Sequence, residues 1–163
     1  MPDKQVINII IAGLGGQGVI TASGILADAA FRAGLDVKKS EIHGMSQRGG
    51  SVASDVRIGE SVLSPMVPPG EADFLVVLSS DQVEPNRHQL KSGGVLITPE
   101  MVDESALQNK RSLNVALLGI LSAHLPMIPE THWLESLKAS LPGKILEVNL
   151  QAFESARKMG KRQ

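Results

Sequence analysis

Apolar and polar positions along this chain follow two different periods, and the switches between them mark out its elements. "QVINIIIAG" (residues 5–13) is a near-continuous β-branched run, the pattern of a strand buried on both faces in a parallel sheet. "QGVITASGILADAAFRAG" follows with helical spacing. Val19, Ala22, Ile25, Leu26 and Ala29 share one face, and Gly34 supplies the C-terminal stop. "LDVKKSEIHG" reads as a second strand, so the chain opens as a strand–helix–strand unit whose crossover is right-handed. The period then changes. In "SVASDVRIG" Val52, Ser54, Val56 and Ile58 point one way and Ala53, Asp55 and Arg57 the other. The "GE" that follows, with "SVLSP" behind it, predicts a hairpin return, an antiparallel excursion from the α/β run.

Beyond the turn at "VPPGEA", "DFLVVLSS" is another wholly apolar strand. "DQVEPNRHQL" reads as helical from Pro85 onward, and "KSGGVLITP" as a strand behind a glycine turn. "LNVALLGILSAHLP" is apolar on most sides and so predicts a buried helix. "PETHWLESLKASLP" offers Thr131 as a helix N-cap. "ILEVNLQAFESARKMGKRQ" is amphipathic with a basic end, expected to fray from about residue 158. The architecture expected is a single domain over residues 1–163 of class α/β. It has three α/β/α layers and a mainly parallel sheet with an antiparallel hairpin excursion.

Composition removes several functions. The net charge is -1 and aromatic residues make up 2%, so there is neither a basic field nor a stacking platform for nucleic acid. The absence of cysteine excludes disulfides, thiolate zinc sites, cysteine-ligated iron–sulfur clusters and a cysteine nucleophile in this sequence. The N-terminal apolar run is too short to span a bilayer and no small-residue cleavage site follows it, which predicts a cytoplasmic protein with no membrane contact.

Gly13, Gly15 and Gly18 match G-x-G-x-x-G, placed after a strand and opening a helix as a dinucleotide fingerprint requires. With Gly16 and Gln17 they form the candidate cofactor-binding loop, with Glu41 as the acidic residue for a ribose. Two features oppose that reading: Gln17 is a bulky polar insertion, and the strand–helix alternation stops just after Glu41. The plainer role is a tight strand-to-helix turn, where Gly15 must be glycine if its φ is positive.

A second glycine-rich loop, "HGMSQRGGS", follows the second strand at its carboxyl end, the edge where open α/β sheets bind ligands and partners. Gly44, Gly49 and Gly50 admit close approach of another backbone, while Gln47 and Arg48 carry many donors. His43, Gly44, Met45, Ser46, Gln47, Arg48, Gly49, Gly50 and Ser51 are therefore the candidate partner interface. The alternative is a tight loop in which Arg48 pairs with Asp55 or Glu41 of its own domain.

The remaining polar residues point elsewhere. His88, His124 and His132 lack metal-ligand spacing, and Trp133 is placed to pack the C-terminal helix. Asp81 is read as an N-cap, although the adjacent serines also suit a ligand. "PMVPP" is an exposed apolar patch suited to a subunit contact. No Ser-His-Asp arrangement emerges.

"GLGGQGVITASGILADAA", then "SEIHGMSQRGGSVASDVRIG" and "SPMVPPGEADFLVVL", resemble the gamma subunit or domain of 2-oxoacid:ferredoxin oxidoreductases, nearest to the indolepyruvate branch. The resemblance runs from about Val6 to about Phe153. It implies an accessory subunit of an enzyme that decarboxylates a 2-oxoacid oxidatively and passes electrons to ferredoxin. The implied partners are thiamine-binding alpha- and beta-type subunits and a ferredoxin-like subunit. Those partners would hold thiamine diphosphate, magnesium, the iron–sulfur clusters and any CoA, leaving no cofactor bound by this chain alone. No catalytic role transfers to either glycine motif. The other functions weighed are a stand-alone dinucleotide-binding oxidoreductase and a small-molecule-binding regulatory domain on the same fold.

Overall fold

A computed structural model describes residues 5–43 and 49–162. It is a single α/β domain built on a mixed five-stranded sheet, as the sequence pattern leads one to expect. β1 (Ile7–Leu14) is the β-branched run and occupies the centre. α1 (Val19–Arg32) buries Val19, Ala22, Ile25, Leu26 and Ala29 as the periodicity requires. It ends where Gly34 takes φ 85° and Leu35 N–H bonds back to Ala30 O at 3.1 Å.

β2 (Asp36–His43) and β3 (Ser51–Gly59) form a hairpin with each other, and β3 then lies antiparallel against β1. This corrects the expected topology. The strand–helix–strand unit exists, but β3 is inserted between its two parallel strands. The expected return, residues 61–65, is no strand at all. Side chains hold that segment instead: Val62 N–H donates to Asp36 Oδ2 at 2.7 Å, and Arg57 Nη1 donates to Ser64 O at 2.9 Å. The sheet order is β2-β3-β1-β4-β5, with β4 (Ala72–Val77) and β5 (Leu90–Ile97) parallel to β1. β1, β2, β4 and β5 run the same way and β3 runs against them, so the sheet is mainly parallel and the antiparallel excursion is the β2–β3 hairpin.

The connection after β4 is helical from Ser80, five residues earlier than expected. It runs as a 3₁₀ turn, then α2 (Val83–Asn86), then a second 3₁₀ turn. Asp81 lies inside the first turn and accepts from Ser79 Oγ at 2.6 Å, so it is not the N-cap. The glycines expected to precede β5 lie within it. Leu90 faces Ala72 while Val95 faces Phe74, and Gly93 supplies the bulge with φ 79°. α3 (Leu113–Ala123) is buried on nearly every side. α4 (Glu130–Ser140) starts behind Pro129, which leaves Thr131 inside the first turn, and α5 (Gly143–Gly160) stays helical two residues past the expected point of fraying. Gly160 is buried against α3, so closely that a Cβ there would lie 3.0 Å from Ile120 O.

The main core joins Ile9, Ile11, Val56, Ile58 and Val76 of the sheet to α1, α3, α4 and α5, with the rings of Trp133 and Phe153 packed at a tilt, 5.7 Å between centroids. The other face has a thinner cover, in which Val67 of the "PMVPP" segment packs on Ile10, Leu75 and Val77. Val67 is therefore buried while Met66 remains 56% exposed. Asp55 ties this segment down by accepting Val67 N–H at 2.9 Å, and burial pushes its carboxyl above the usual range. Among the described residues no helix is long and apolar enough to cross a membrane.

Candidate functional site

β1 and β2 run parallel on either side of β3, so the glycine loop and the hairpin connection emerge on the same edge of the sheet. The two loops touch. Gly15 N–H donates to Gly50 O at 2.8 Å, and a Cβ on Gly15 would lie 3.1 Å from Gly49 N. Gly15 is thus glycine for close approach rather than conformation: Gly16 and Gly18 have positive φ (91° and 87°), and Gly15 does not. Gln17, the odd residue of the motif, closes the loop on itself, its Oε1 accepting Leu14 N–H at 2.7 Å. A side chain on Gly13 would meet that same oxygen at 2.9 Å.

This geometry bears on the dinucleotide reading. The second glycine of a dinucleotide loop is the one that lets pyrophosphate approach the backbone, and here the Gly49–Gly50 backbone takes that approach. Glu41 is also displaced. With β3 intervening it lies two strand spacings from β1, roughly 10 Å, and it pairs with Lys39 at 2.9 Å.

Of the candidate interface, the structure places the backbone of His43 at the end of β2 and Gly49, Gly50 and Ser51 at the return into β3; Gly44, Met45, Ser46, Gln47 and Arg48 lie outside the described residues. Gly49 has φ 91° and is exposed. The return is pinned a second time, Ser51 Oγ donating to Gln82 Oε1 at 2.9 Å across to the turn after β4. Farther along this edge, Ser80 Oγ donates to Glu100, which holds that carboxyl below its usual range.

A cleft of about 470 Å³ opens beside the glycine loop, lined by Gly16, Gln17, Gly18, Lys110, Arg111 and Asn114. Asn114 Nδ2 donates to Gly18 O at 3.2 Å, joining α3 to the start of α1. Sequence reasoning did not find Lys110, Arg111 or Asn114. The lone asparagine in the apolar run "LNVALLGIL" was the available signal, since a polar residue buried there needs a partner. The histidines do not gather here: His124 packs at a tilt against Phe74 with ring centroids 5.8 Å apart, His88 is exposed and His132 lies 4.0 Å from Glu135. Among the described residues no three His, Asp or Glu side chains cluster as metal ligands.

The family pattern of pyruvate ferredoxin/flavodoxin oxidoreductase matches residues 8–105 and 99–159. The indolepyruvate oxidoreductase subunit IorB of Thermococcus kodakarensis is 37% identical over 196 aligned positions, covering 94% of this chain and 96% of its own. IorB of Pyrococcus horikoshii is 35% identical with the same coverage. The keto/oxoacid ferredoxin oxidoreductase gamma subunit of Geobacter sulfurreducens superposes with a TM-score of 0.82 at 22% identity, covering 96% of this chain and 99% of its own. The 2-oxoglutarate:ferredoxin oxidoreductase of Magnetococcus marinus, solved with 2-oxoglutarate, coenzyme A and succinyl-CoA, superposes at 0.85 and 23% identity over 99% of this chain and 32% of its own. At such identities the two structures speak for the fold.

Proposed function

Since this chain belongs to the pyruvate ferredoxin/flavodoxin oxidoreductase family, as a gamma-type subunit of a 2-oxoacid:ferredoxin oxidoreductase, we propose that it is an accessory subunit, inactive alone. It docks on the thiamine-binding alpha- and beta-type subunits through the His43–Ser51 connection and supplies no catalytic acid or base. Thiamine diphosphate, magnesium and the iron–sulfur clusters are held by those subunits and a ferredoxin-like one, ferredoxin being the electron acceptor. Cysteine-ligated clusters find no ligand in this sequence.

The observation that carries this reading is the Gly15–Gly50 contact. The glycine loop spends its close-approach position on Gly49 and Gly50 of the hairpin stem, at the edge of the sheet where open α/β folds bind ligands and partners. Lys110 and Arg111 beside Gly16 and Gly18 supply positive charge for an anionic group, and the phosphate end of CoA, the coenzyme bound in the Magnetococcus enzyme, is the ligand to test there. The relatives' names put indolepyruvate first on the substrate panel.

The test joins assembly to stability. Arg48→Ala should weaken assembly with the partner subunits by about 2 kcal/mol, as expected when a charge loses a buried partner, and leave melting of the lone chain unchanged. Lowered melting with assembly intact would return Arg48 to an internal role. Turnover of any 2-oxoacid by the lone chain would refute the accessory reading.

A further inference from the structure

Residues 61–71 cross the thinner face of the sheet without joining it. Pro65, Pro68 and Pro69 have no N–H to offer a neighbouring strand. Among the described residues, the one backbone-to-backbone bond of this stretch is internal: Glu71 N–H donates to Pro68 O at 3.1 Å, across the turn where Gly70 takes φ 76°. The sheet holds this backbone with side chains instead. Asp36 of β2 accepts Val62 N–H at 2.7 Å, and Arg57 of β3 donates to Ser64 O at 2.9 Å. Asp55 of β3 accepts Val67 N–H at 2.9 Å, and Asn8 of β1 donates to Glu71 O at 3.1 Å.

Apolar contact adds little to these ties. Val62 and Val67 are buried, and of the two Val67 alone joins the cluster of Ile10, Leu75 and Val77. Leu63 and Met66 turn outward, 93% and 56% exposed, and the bonds at Ser64 and Glu71 lie in the open. Few buried apolar contacts and solvent-exposed hydrogen bonds mark a segment that opens ahead of its domain.

The innermost tie is a carboxyl group. Asp55 is 5% exposed, and the strand register sets it between Ile10 of β1 and Ser40 of β2. The charged groups around it are Asp36 and Lys38 of β2, Arg57 of β3, Asp73 of β4 and Glu71 at the end of the stretch. Lys38 pairs with Asp36, Asp73 with Lys91, and Arg57 is taken up by Asn8 and Ser64. Among the described residues no cation balances Asp55, and Val67 N–H is its one donor. We infer that residues 61–71 form a strap that lifts from the sheet as a unit while the rest of the domain stays folded, with Asp55 as its latch. A neutral Asp55 is easily kept beneath the closed strap, whereas an ionised one gains by the hydration that the open strap allows. Burial accordingly raises this carboxyl's pKa in the closed form. Protons therefore bind the closed strap more tightly, and opening grows easier as pH rises from the ordinary carboxylate range through the closed-state value. Asp36 has the opposite sign and acts at the acid side of that window, because its carboxyl is held below the ordinary range.

Amide exchange of the full chain, read residue by residue and corrected for the intrinsic rate at each pH, tests both parts. Val62 and Val67 should share one opening constant, at least about tenfold larger than that of the β1 amides. Between about pH 4 and about pH 8 that constant should rise by about threefold or more, and by no more than about tenfold per pH unit, the limit for one proton. In Asp55→Asn the rise should vanish, and the strap should open less at neutral pH than in the wild type. Exchange of Val62 and Val67 no faster than that of β1 overturns the strap. A wild-type constant flat with pH, or a rise that survives in Asp55→Asn, overturns the latch.

Discussion

Replacing Gly15 by alanine tests by its sign what the glycine loop is for. Gly15 lacks a positive φ, so alanine costs nothing in backbone conformation. By restricting the unfolded chain it should stabilise by about 0.4–1 kcal/mol if space allows. Space does not allow. The new Cβ would lie 3.1 Å from Gly49 N, a backbone atom, so the hairpin stem must retreat by a few tenths of an ångström. That retreat strains the 2.8 Å bond from Gly15 N–H to Gly50 O, worth about 0.5–1.5 kcal/mol, and the crowding adds about 1 kcal/mol. The clash outweighs the entropic gain, leaving a net loss of about 1 kcal/mol, or about 2–4 °C in Tm for a domain of this size. Thermal melting of the lone chain reads the net effect, and exchange of the residue 15 amide, which should quicken, reads its cause. An unchanged or raised Tm with unchanged exchange would mean that the stem does not lean on this glycine and that its open face serves a ligand.

Further perturbations bear on other parts of the structure. Gly119→Ala places a Cβ against the carbonyl oxygen of Phe153, where α3 crosses α5; a loss of about 2–3 kcal/mol is expected in urea unfolding, and an unperturbed midpoint would contradict the close crossing. Asp55 binds its proton more tightly folded than unfolded, because burial raises its pKa while Val67 N–H opposes the rise. Its contribution to stability is therefore greatest below the ordinary carboxylate range and is lost as pH rises through the folded value. Asp55→Asn keeps an acceptor for Val67, so it should gain on the wild type across that window and match or exceed it at neutral pH; a variant that falls behind as pH rises would contradict the assignment. Asp36 has the opposite sign: the Val62 N–H holds its carboxyl below the usual range, so its support is present above the ordinary value and fades as acid protonates it. Asp36→Asn should flatten the acid limb of the stability curve. NAD, NADP and FAD should bind the lone chain no better than millimolar by calorimetry, and a micromolar constant would revive the dinucleotide reading.

What the sequence disclosed depended on how local each cause was. β1, α1 and the Gly34 stop were legible because an unbroken β-branched run, a 3.6-residue stripe and a glycine with positive φ act within a few residues. The insertion of β3 between β1 and β2 was not, since alternation declares a strand but not its neighbour. Val62 imitates a return strand and is held instead by the carboxylate of Asp36, twenty-six positions away. Gly93 and Gly94 read as a turn because a bulge uses the same residue. At the site, both glycine motifs and their shared edge were visible, and the contact that unites them was not: only the fold sets Gly15 against Gly50 and brings Lys110 and Arg111 to Gly16.

The edges of the sheet have a consequence for the subunit before it meets its partners. β2 closes one side with Lys38 and Lys39, paired to Asp36 and Glu41. β5 closes the other, where the Gly93 bulge breaks the run of amides and Lys91 pairs with Asp73. Charged side chains and bulges along border strands keep a foreign strand from adding on. Two copies of the chain meeting border to border therefore face paired charges on β2 and a broken ladder on β5, which oppose a continuous sheet between them.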